Sequence, residues 1–299
     1  MKILISGGTG FIGGALVEAL LKRGDNLFVL TRSKKISSEN RLRYVIWNPE
    51  DEKAVISELD GAHAVINLAG ELIAKRWTGK QKEKIIKSRV NATRMIGQSI
   101  KQAMIKPQVF INASAIGYYG PCGNEALSEE TLAGSGFLAE TCKAWEANAV
   151  RVEDYNVRVV RLRIGIVLGK EGGALPKMLL PFQMGFGGWL GHGNQWFSWI
   201  HRDDLVRLII FCLDQEQMKG AVNAVSPLPV TNKAFSMVLA QVLSRPCLLP
   251  VPAFALKLLM GEMSEMLLTG QRVIPKKADE GGFSYQFPEI RSALENILK

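Results

Sequence analysis

Three glycines near the start of the chain constrain its fold more than any other feature. They are Gly7, Gly10 and Gly13, spaced as G-x-x-G-x-x-G. An apolar run over 2–6 precedes them, and the residues from 11 onward have helical periodicity. The glycines therefore lie on a turn between a buried strand and a helix. This context is typical of dinucleotide-binding folds, in which the glycines allow a tight turn, the approach of a pyrophosphate and close helix–strand packing. A turn without a ligand is the alternative, but strand, spacing and helix all favour a ligand.

The end of the second predicted strand, 26–30, indicates which dinucleotide this turn would take. In NAD-binding folds an acidic residue at this point holds the ribose 2′-hydroxyl, whereas this chain has Thr31 and Arg32. A guanidinium can bind a 2′-phosphate through its planar fork. The sequence therefore predicts NADP(H) as the cofactor, with an ordinary surface arginine as the alternative interpretation of Arg32.

Strands and helices alternate through the first half of the chain, which predicts an α/β fold with a Rossmann-type, doubly wound parallel sheet. Further strands are predicted over 43–47, 64–67, 108–113 and 158–163, and helices over 51–59, 78–104, 133–154 and 229–243. We expect residues 1–168 to form the nucleotide-binding domain, with its sheet completed by 196–225. Residues 169–195 and 226–299 would form a smaller α/β domain that lines the substrate cleft.

Several motifs together resemble one protein family. The turn GGTGFIG at 7–13 and the segment NLAGE at 67–71 are similar to those of extended short-chain dehydrogenases/reductases. The segment WIHRDDL at 199–205 and the tail beyond 249 extend the likeness over essentially the whole chain. The chain is identified as a member of the atypical group called epimerase family proteins (the YfcH type), with a C-terminal domain of unknown function. This resemblance implies an NADP-binding Rossmann domain followed by a small C-terminal domain.

Candidate cofactor contacts cluster at the carboxyl ends of the predicted strands, where ligands of open α/β sheets bind. Arg89, on the helix predicted over 78–104, could reach the pyrophosphate, and a surface arginine is the alternative. The resemblance places the nicotinamide carboxamide against the backbone just after the sixth strand. The candidate cofactor-binding residues are Gly7, Thr9, Gly10, Phe11, Ile12, Gly13, Thr31, Arg32, Leu68, Ala69, Gly70, Arg89, Gly165 and Val167.

Candidate catalytic residues come from the resemblance and not from a complete motif. Extended dehydrogenases place a Ser or Thr where Ser114 follows the fifth strand, and a similar Tyr where Tyr118 lies on the next loop. Asn91 matches the family's Asn on the preceding helix. The family's acid is a Tyr in Y-x-x-x-K, but no tyrosine of this chain has a lysine four residues later. The equivalent positions fall on Leu138 and Cys142.

Two hypotheses therefore stay open. In the first, the protein is an NADP-dependent oxidoreductase or epimerase-like enzyme whose acid is Tyr118, Tyr119, Ser114 or a bound water, and slow reduction of a small carbonyl compound is expected. In the second, it binds NADP(H) without turnover, as a redox-responsive regulatory protein. Lys143 replaces the missing lysine in neither hypothesis, because one residue along a helix turns a side chain by about 100°.

Glycine-rich loops with interleaved aromatic residues follow the sixth strand. These aromatic residues, which could line a substrate cleft or form a packing layer, are Trp189, Trp196, Phe197 and Trp199. In the segment after them, Asp203 or Asp204 is predicted to cap a helix. His201 is expected to be structural.

Composition excludes several other classes of protein. The net charge of +9 suits an acidic ligand such as a dinucleotide. It would also suit nucleic acid, but the basic residues are spread along the chain. The four cysteines are scattered, which suggests neither a disulfide framework nor a metal site and favours the cytoplasm. No segment approaches the ~20 apolar residues of a membrane span. We expect a monomer or homodimer that acts on a small molecule.

Overall fold

The fold is built on one seven-stranded, fully parallel sheet. The computed structural model describes residues 1–49 and 53–299, so the first residues of the helix predicted over 51–59 lie outside this description. The strands and helices, in chain order, are β1 (Lys2–Ser6), α1 (Phe11–Arg23), β2 (Asn26–Thr31), β3 (Leu42–Ile46), α2 (Lys53–Leu59), β4 (Ala64–Asn67), α3 (Gly79–Gln102), β5 (Val109–Ala115), β6 (Ala126–Leu127), α4 (Phe137–Val150), β7 (Arg158–Ile164), β8 (Ile166–Leu168), α5 (Leu175–Gln183), β9 (Trp196–Phe197), β10 (Trp199–His201), α6 (Arg202–Asp214), β11 (Gly220–Ala224), β12 (Val230–Thr231), α7 (Asn232–Leu243), α8 (Ala253–Met260), α9 (Glu265–Leu268), β13 (Arg272–Val273), α10 (Lys276–Glu280) and α11 (Ile290–Leu298). The order of the strands across the central sheet is β11-β7-β5-β4-β1-β2-β3.

The strand order reverses beside β1, and this reversal locates the ligand crevice. From β1 the chain adds β2 and β3 on one side, then returns to add β4, β5 and β7 on the other. In open α/β sheets the crevice at the carboxyl ends of the strands on either side of such a point is where ligands bind. The Rossmann-type sheet predicted from the sequence is confirmed, and its crevice opens between the ends of β1 and β4.

Helices cover both faces of the sheet, which explains why its central strands are continuously apolar. Ile3 and Ile5 of β1 point into the core beneath α1 and α6, whereas Leu4 points into the core on the opposite face. Successive side chains of a strand point to opposite faces of the sheet, so a strand that is buried on both faces is apolar at successive positions. All three residues are fully buried.

A separate apolar core joins α7 and α11 to the loops after β8. The rings of Phe197 and Phe235 stack at 4.2 Å between their centroids. Trp199 is fully buried in the same cluster. Of the two interpretations of the aromatic loops, packing therefore holds for Phe197 and Trp199, while Trp189 and Trp196 are half-buried.

Local capping explains where the observed elements differ from the predicted ones. His201 begins α6, and its Nδ1 accepts the backbone N–H of Asp203 at 3.1 Å. The prediction that Asp203 or Asp204 caps this helix is thus wrong, and the structural role expected for His201 is confirmed. Asp204 instead accepts the backbone N–H groups of Gln286 and Phe287, each at 2.8 Å.

The start of α4 and the end of β5 also differ from prediction. The helix starts at Phe137 and not at 133, because Gly134 packs so closely on the preceding loop that a Cβ there would lie 2.1 Å from the carbonyl oxygen of Tyr119. Strand β5 continues to Ala115, two residues past its predicted end. Ser114 is therefore part of the strand.

Candidate functional site

The glycine turn after β1 has the geometry that a bound pyrophosphate requires. Gly7 has φ +73°, and a Cβ there would lie 2.7 Å from the carbonyl carbon of Leu68. A Cβ at Gly13 would lie 2.2 Å from the carbonyl oxygen of Gly7, so only glycine lets α1 pack this closely. Gly10, by contrast, would meet only that same oxygen, at 3.3 Å. A Cβ at Gly10 would therefore have one tight neighbour within the turn and no other atom within 4 Å, so a ligand could approach the backbone from the remaining sides.

The start of α1 can receive a negative charge at this open face. Its N-cap residue, Gly10, has no side chain that could accept a hydrogen bond from the first backbone N–H groups, and the first turn holds no acidic residue. The first N–H groups of a helix have no partner within the helix, and its dipole is positive at this end. Thr9 and Gly10 are exposed, and Ile12 is half-buried beside them.

Phe11 is held by the glycines that follow β8. A Cβ at Gly169 or Gly172 would lie 2.6 Å from its ring, and one at Gly173 would lie 2.9 Å from it. The guanidinium of Arg202 is 5.8 Å from the ring centroid. This part of the glycine-rich segment therefore packs around the first residue of α1 and fixes the position of the turn.

Arg32 follows the end of β2, and no described residue neutralises its charge. Its side chain is exposed and forms no ion pair with the residues that the structure describes. The buried Thr31 before it donates a hydrogen bond to the carbonyl oxygen of Ser33 at 2.7 Å, which fixes the turn. Lys34 and Lys35 are exposed next to it, so this edge of the crevice is strongly basic.

A buried polar network, missed from the sequence, supports the ends of β1, β4 and β5. Asn67 Nδ2 donates to Thr93 Oγ1 at 3.0 Å and to Asn112 Oδ1 at 2.7 Å, and Ser6 donates to Asn67 Oδ1. Trp145 Nε1 donates to Thr93 at 2.9 Å. These polar residues at the ends of otherwise apolar strands were the signal that could have revealed the network. It locks the floor of the crevice, because satisfied buried networks are rigid.

Arg89 carries a buried positive charge beside this floor. Its side chain is 8% exposed, and its Nη1 donates to the carbonyl oxygen of Ile85 at 3.1 Å. The guanidinium lies against Gly70, where a Cβ would be 3.2 Å from Nη2, and 5.1 Å from the ring of Trp145. Burial lowers the pKa of Arg89, and the charge fields of Cys142 and Glu71 oppose this shift. Buried cations normally have a charged partner, so Arg89 is suited to receive one from a ligand.

Ser114 is engaged by a buried ion pair that the sequence did not predict. Its hydroxyl donates to Glu146 Oε1 at 2.7 Å. Arg163 donates to the same carboxylate through Nε at 2.8 Å and Nη2 at 3.0 Å. Burial disfavours the charge of Arg163, but its bonds to Glu146 outweigh this effect and raise its pKa. The arginines that interrupt the apolar strand β7 were the available signal.

Among the candidate acids, only Tyr118 keeps a free hydroxyl with respect to the described residues. Tyr119 is 1% exposed, and its hydroxyl donates to Asn223 Oδ1 at 2.7 Å and accepts from Arg163 Nη1 at 3.0 Å. Burial raises the pKa of Tyr119. Tyr118 is half-buried, and the guanidinium carbon of Arg163 lies 3.5 Å from its ring centroid. The guanidinium of Arg163 therefore lies against the face of the Tyr118 ring, and Glu146 already balances the charge of this guanidinium.

The place of the missing Y-x-x-x-K motif is apolar in the structure. A Cβ at Gly117 would lie 3.1 Å from Leu138 Cβ, so this helix position faces the loop that carries Tyr118. Cys142, one turn later, is buried, and burial together with Glu146 raises its pKa to about 11. Lys143 instead pairs with Glu140 on the exposed side of α4.

The remaining predicted residues are placed apart from this group. Asn91 lines a depression of about 400 Å³ together with Lys84 and Ser88. The residue of α3 that reaches β5 is Thr93, two positions later. Gly165 packs between neighbouring segments, since a Cβ there would lie 2.7 Å from the carbonyl oxygen of Ser198. Val167 belongs to β8, with its side chain half-buried.

Known proteins resemble the chain along its full length. The family described as "NAD dependent epimerase/dehydratase family" matches residues 3–224, and a domain of unknown function, DUF1731, matches 251–297. The epimerase family protein YfhF of Bacillus subtilis is 38% identical over 100% of this chain and 98% of its own. An Arabidopsis thaliana protein, "Epimerase family protein SDR39U1 homolog, chloroplastic", is 41% identical over 100% of this chain and 87% of its own.

A solved structure adds the three-dimensional likeness. The crystal structure of human epimerase family protein SDR39U1 with NADPH is 32% identical, covers 99% of both chains and has a TM-score of 0.90. The UDP-glucuronic acid 4-epimerase of Bacillus cereus, solved with NAD, shares the fold at 18% identity with a TM-score of 0.80. In the described part of this chain, no helix is both long and apolar enough to cross a membrane.

Proposed function

Because the chain belongs to the NAD dependent epimerase/dehydratase family, we propose that it binds NADP(H) and reduces a small carbonyl compound. The observation that carries this proposal is the exposed Gly10 at the start of α1, which no side chain caps, with Arg32 at the end of the adjacent strand free of ion pairs to the described residues. The human relative crystallised with NADPH supports the choice of cofactor. An epimerase-like reaction on a sugar-nucleotide-like substrate is the other reaction that the family suggests.

The residues present fit this cofactor at three separate points. The turn 7–13 would receive the pyrophosphate, and Arg32 would bind the 2′-phosphate through a charge-assisted pair. The free edge of Arg89 would supply the third contact, beside Gly70. The glycines at 7 and 13 are fixed by packing within the protein, whereas Gly10 is free to meet a ligand.

The protein's own residues must supply the proton. When bound, NADPH supplies a hydride for the carbonyl carbon of the substrate. Tyr118 would donate its proton to the carbonyl oxygen, so that an alcohol and NADP⁺ result. Ser114 does not compete for this role, because its hydroxyl is 2% exposed and donates to Glu146. We propose that Ser114 positions the end of β5, next to the loop of Tyr118.

A second candidate function is NADP(H) binding without turnover, as a redox-responsive regulator. The observation that favours it is the fully engaged hydroxyl of Ser114 together with the apolar Leu138 in place of a proton donor. We place either activity in the cytoplasm, since the four cysteines are free. We propose that the protein acts as a monomer or homodimer.

Titration and turnover measurements separate these possibilities. Protein fluorescence during titration with NADPH and NADH reports binding, and absorbance of NADPH reports turnover across a panel of aldehydes and ketones. The enzyme proposal expects NADPH to bind more tightly than NADH and at least one carbonyl compound to be reduced. Binding without any reduction would favour the regulator, and absence of binding would overturn both.

A further inference from the structure

We infer that the substrate presents an apolar body, such as an alkyl chain or an aromatic ring, beside its carbonyl group, and not a sugar nucleotide. This inference rests on the proposed carbonyl reduction and concerns the side of the site that faces the substrate. It is carried by one cluster of apolar side chains around Leu138, which stands at the Tyr position of the Y-x-x-x-K motif that this chain lacks.

Leu138 fixes where this cluster lies relative to the chemistry. It packs on Gly117, within the loop between Ser114 and Tyr118. It is only partly buried, and it belongs to the same cluster as Phe137 and Trp77. The rings of Trp77 and Phe137 meet edge to face, with their centroids 5.0 Å apart. An apolar surface therefore begins directly beside the proposed proton donor.

The surface is assembled from three segments that are far apart in sequence. The loop before α3 gives Ile73 and Trp77, the start of α4 gives Phe137 and Leu138, and the segment from α8 to α9 supplies a set of methionine and leucine side chains: Met260, Met263, Met266 and Leu267. Trp77 and Met263 are buried beneath, while Ile73, Met260, Met266 and Leu267 remain partly open. We call this apolar surface the wall. Methionine is unbranched and polarisable, so the wall can adapt to apolar ligands of different shape.

Two of the lysines around this apolar surface are paired with carboxylates. Lys82 lies 5.2 Å from the ring centroid of Phe137 and forms an ion pair with Glu262. Lys75 is paired with Glu71 at 2.8 Å.

Two further cations at the rim have no ion pair with the described residues. Arg76 is exposed beside Gly261, and the Nζ of Lys177 donates to the carbonyl oxygen of Ala74 at 3.3 Å. A nucleotide diphosphate needs several cations that converge on it, and one arginine and one lysine at the rim of an apolar surface suit it poorly.

A series of alkan-2-ones with four, six, eight and ten carbons tests the inference. Binding is measured by calorimetry on the protein saturated with NADP⁺, which cannot reduce the ketone, so affinity is read without turnover. Each methylene buried against the wall contributes ~0.8 kcal/mol, so affinity should rise about fourfold per added carbon until the wall is covered. UDP-glucose is titrated in parallel, and it should bind more weakly than octan-2-one.

Substitutions in the wall give the second measurement. Met266→Gln should weaken octan-2-one binding about fivefold, because an amide is placed against the alkyl chain. Met266→Leu should keep the affinity of the unaltered protein. Met104→Gln is the matched control, since Met104 is 87% exposed beyond the end of α3 and belongs to no such cluster. Thermal unfolding of all three variants shows whether each is folded.

The outcomes separate this inference from the proposed function. Affinity that does not change with chain length, tighter binding of UDP-glucose, equal loss in Met266→Gln and Met104→Gln, or no binding of any ketone would each overturn the apolar substrate. Titration of NADPH is unaffected by these results. If NADPH fails to bind, the proposed function itself is wrong.

Discussion

The glycine turn after β1 and the face of α4 that carries Leu138 and Cys142 lie at the same edge of the sheet but work in opposite ways. In the turn, the backbone provides the site, and glycines serve because a side chain would block either the fold or the ligand. On α4, side chains fill the space: Leu138 and Cys142 stand at the positions that correspond to the absent Y-x-x-x-K motif, and Glu146 forms a buried ion pair with Arg163. The glycine turn thus depends on the absence of side chains, whereas the face of α4 depends on which side chains are present.

The largest effect should come from closing the open face of the turn. Gly10→Val places a branched side chain where the pyrophosphate would lie, so NADPH binding should fall below detection while the protein remains folded. We expect the fold to accommodate this change, because only the carbonyl oxygen of Gly7, 3.3 Å from a Cβ at Gly10, would have to shift, by a few tenths of an ångström. Gly13→Val, in contrast, should prevent folding, because its Cβ would lie 2.2 Å from the carbonyl oxygen of Gly7. Circular dichroism and cofactor titration measure the two effects separately.

Gly14→Val is the matched control for Gly10→Val. A Cβ at Gly14 has no neighbour within 4 Å, and this residue lies in the same turn of α1. It should lose little affinity for NADPH. Normal NADPH binding by Gly10→Val would show that the cofactor does not cross this turn, and the contrast between the two regions would then lose its first half.

Among changes near α4, removing the hydroxyl of Tyr118 should have the largest effect on carbonyl reduction. General acid catalysis typically contributes ~10²–10⁴-fold, so Tyr118→Phe should slow carbonyl reduction by that order. NADPH affinity should not change, because the ring and its contact with Arg163 are kept. Lys143→Ala should have little effect, since Lys143 pairs with Glu140 on the exposed face of α4. Loss of activity in Lys143→Ala with full activity in Tyr118→Phe would reverse this assignment.

The glycine turn could be predicted from the sequence, whereas the side-chain contacts around α4 could not. The strand β1, the turn and the start of α1 were predictable, because period, glycine spacing and burial are local properties of the chain. The pairing of Glu146 on α4 with Arg163 on β7, and the presence of Met266 and Leu138 in one apolar cluster, depend on how distant segments pack. No local pattern encodes such contacts, so the place of Ser114 next to the fifth strand could be predicted but its bond to Glu146 could not. The cap of α6 failed for a simpler reason, because His201 competes with two aspartates for the same N–H groups.

Arg89 lies between the two regions, the glycine turn and the face of α4 that carries Cys142. It packs against Gly70, whereas the glycine turn packs against Leu68 and Ala69, and its charge acts on Cys142, which stands at the position of the family's lysine. We therefore expect its free edge to contact the ribose on the nicotinamide side and not the pyrophosphate. Charge-assisted hydrogen bonds contribute roughly 1.5–3 kcal/mol, so Arg89→Met should weaken binding of 2′-phospho-ADP-ribose about tenfold or more.

The fragment 2′-phospho-ADP, which has both phosphates but lacks the second ribose, makes this prediction specific. Its affinity should be nearly equal in the unaltered protein and in Arg89→Met. Arg94→Met, an exposed arginine of the same helix, is the control and should bind both fragments normally. Equal losses for the two fragments would assign Arg89 to the pyrophosphate, as the sequence alone suggested.

The smallest effect concerns selectivity and not binding itself. Arg32 is exposed and without an ion pair among the described residues, so its charge is screened by solvent until a 2′-phosphate arrives. A single charge-assisted contact at the lower end of the usual range corresponds to about a tenfold preference for NADPH over NADH. Arg32→Ala should remove most of this preference while NADH affinity stays unchanged, because NADH has no phosphate at this position. Titration of both proteins with both cofactors measures all four affinities. Equal affinities in the unaltered protein would mean that Lys34 and Lys35 do not complete a phosphate site with Arg32, and that the basic edge after β2 selects neither cofactor.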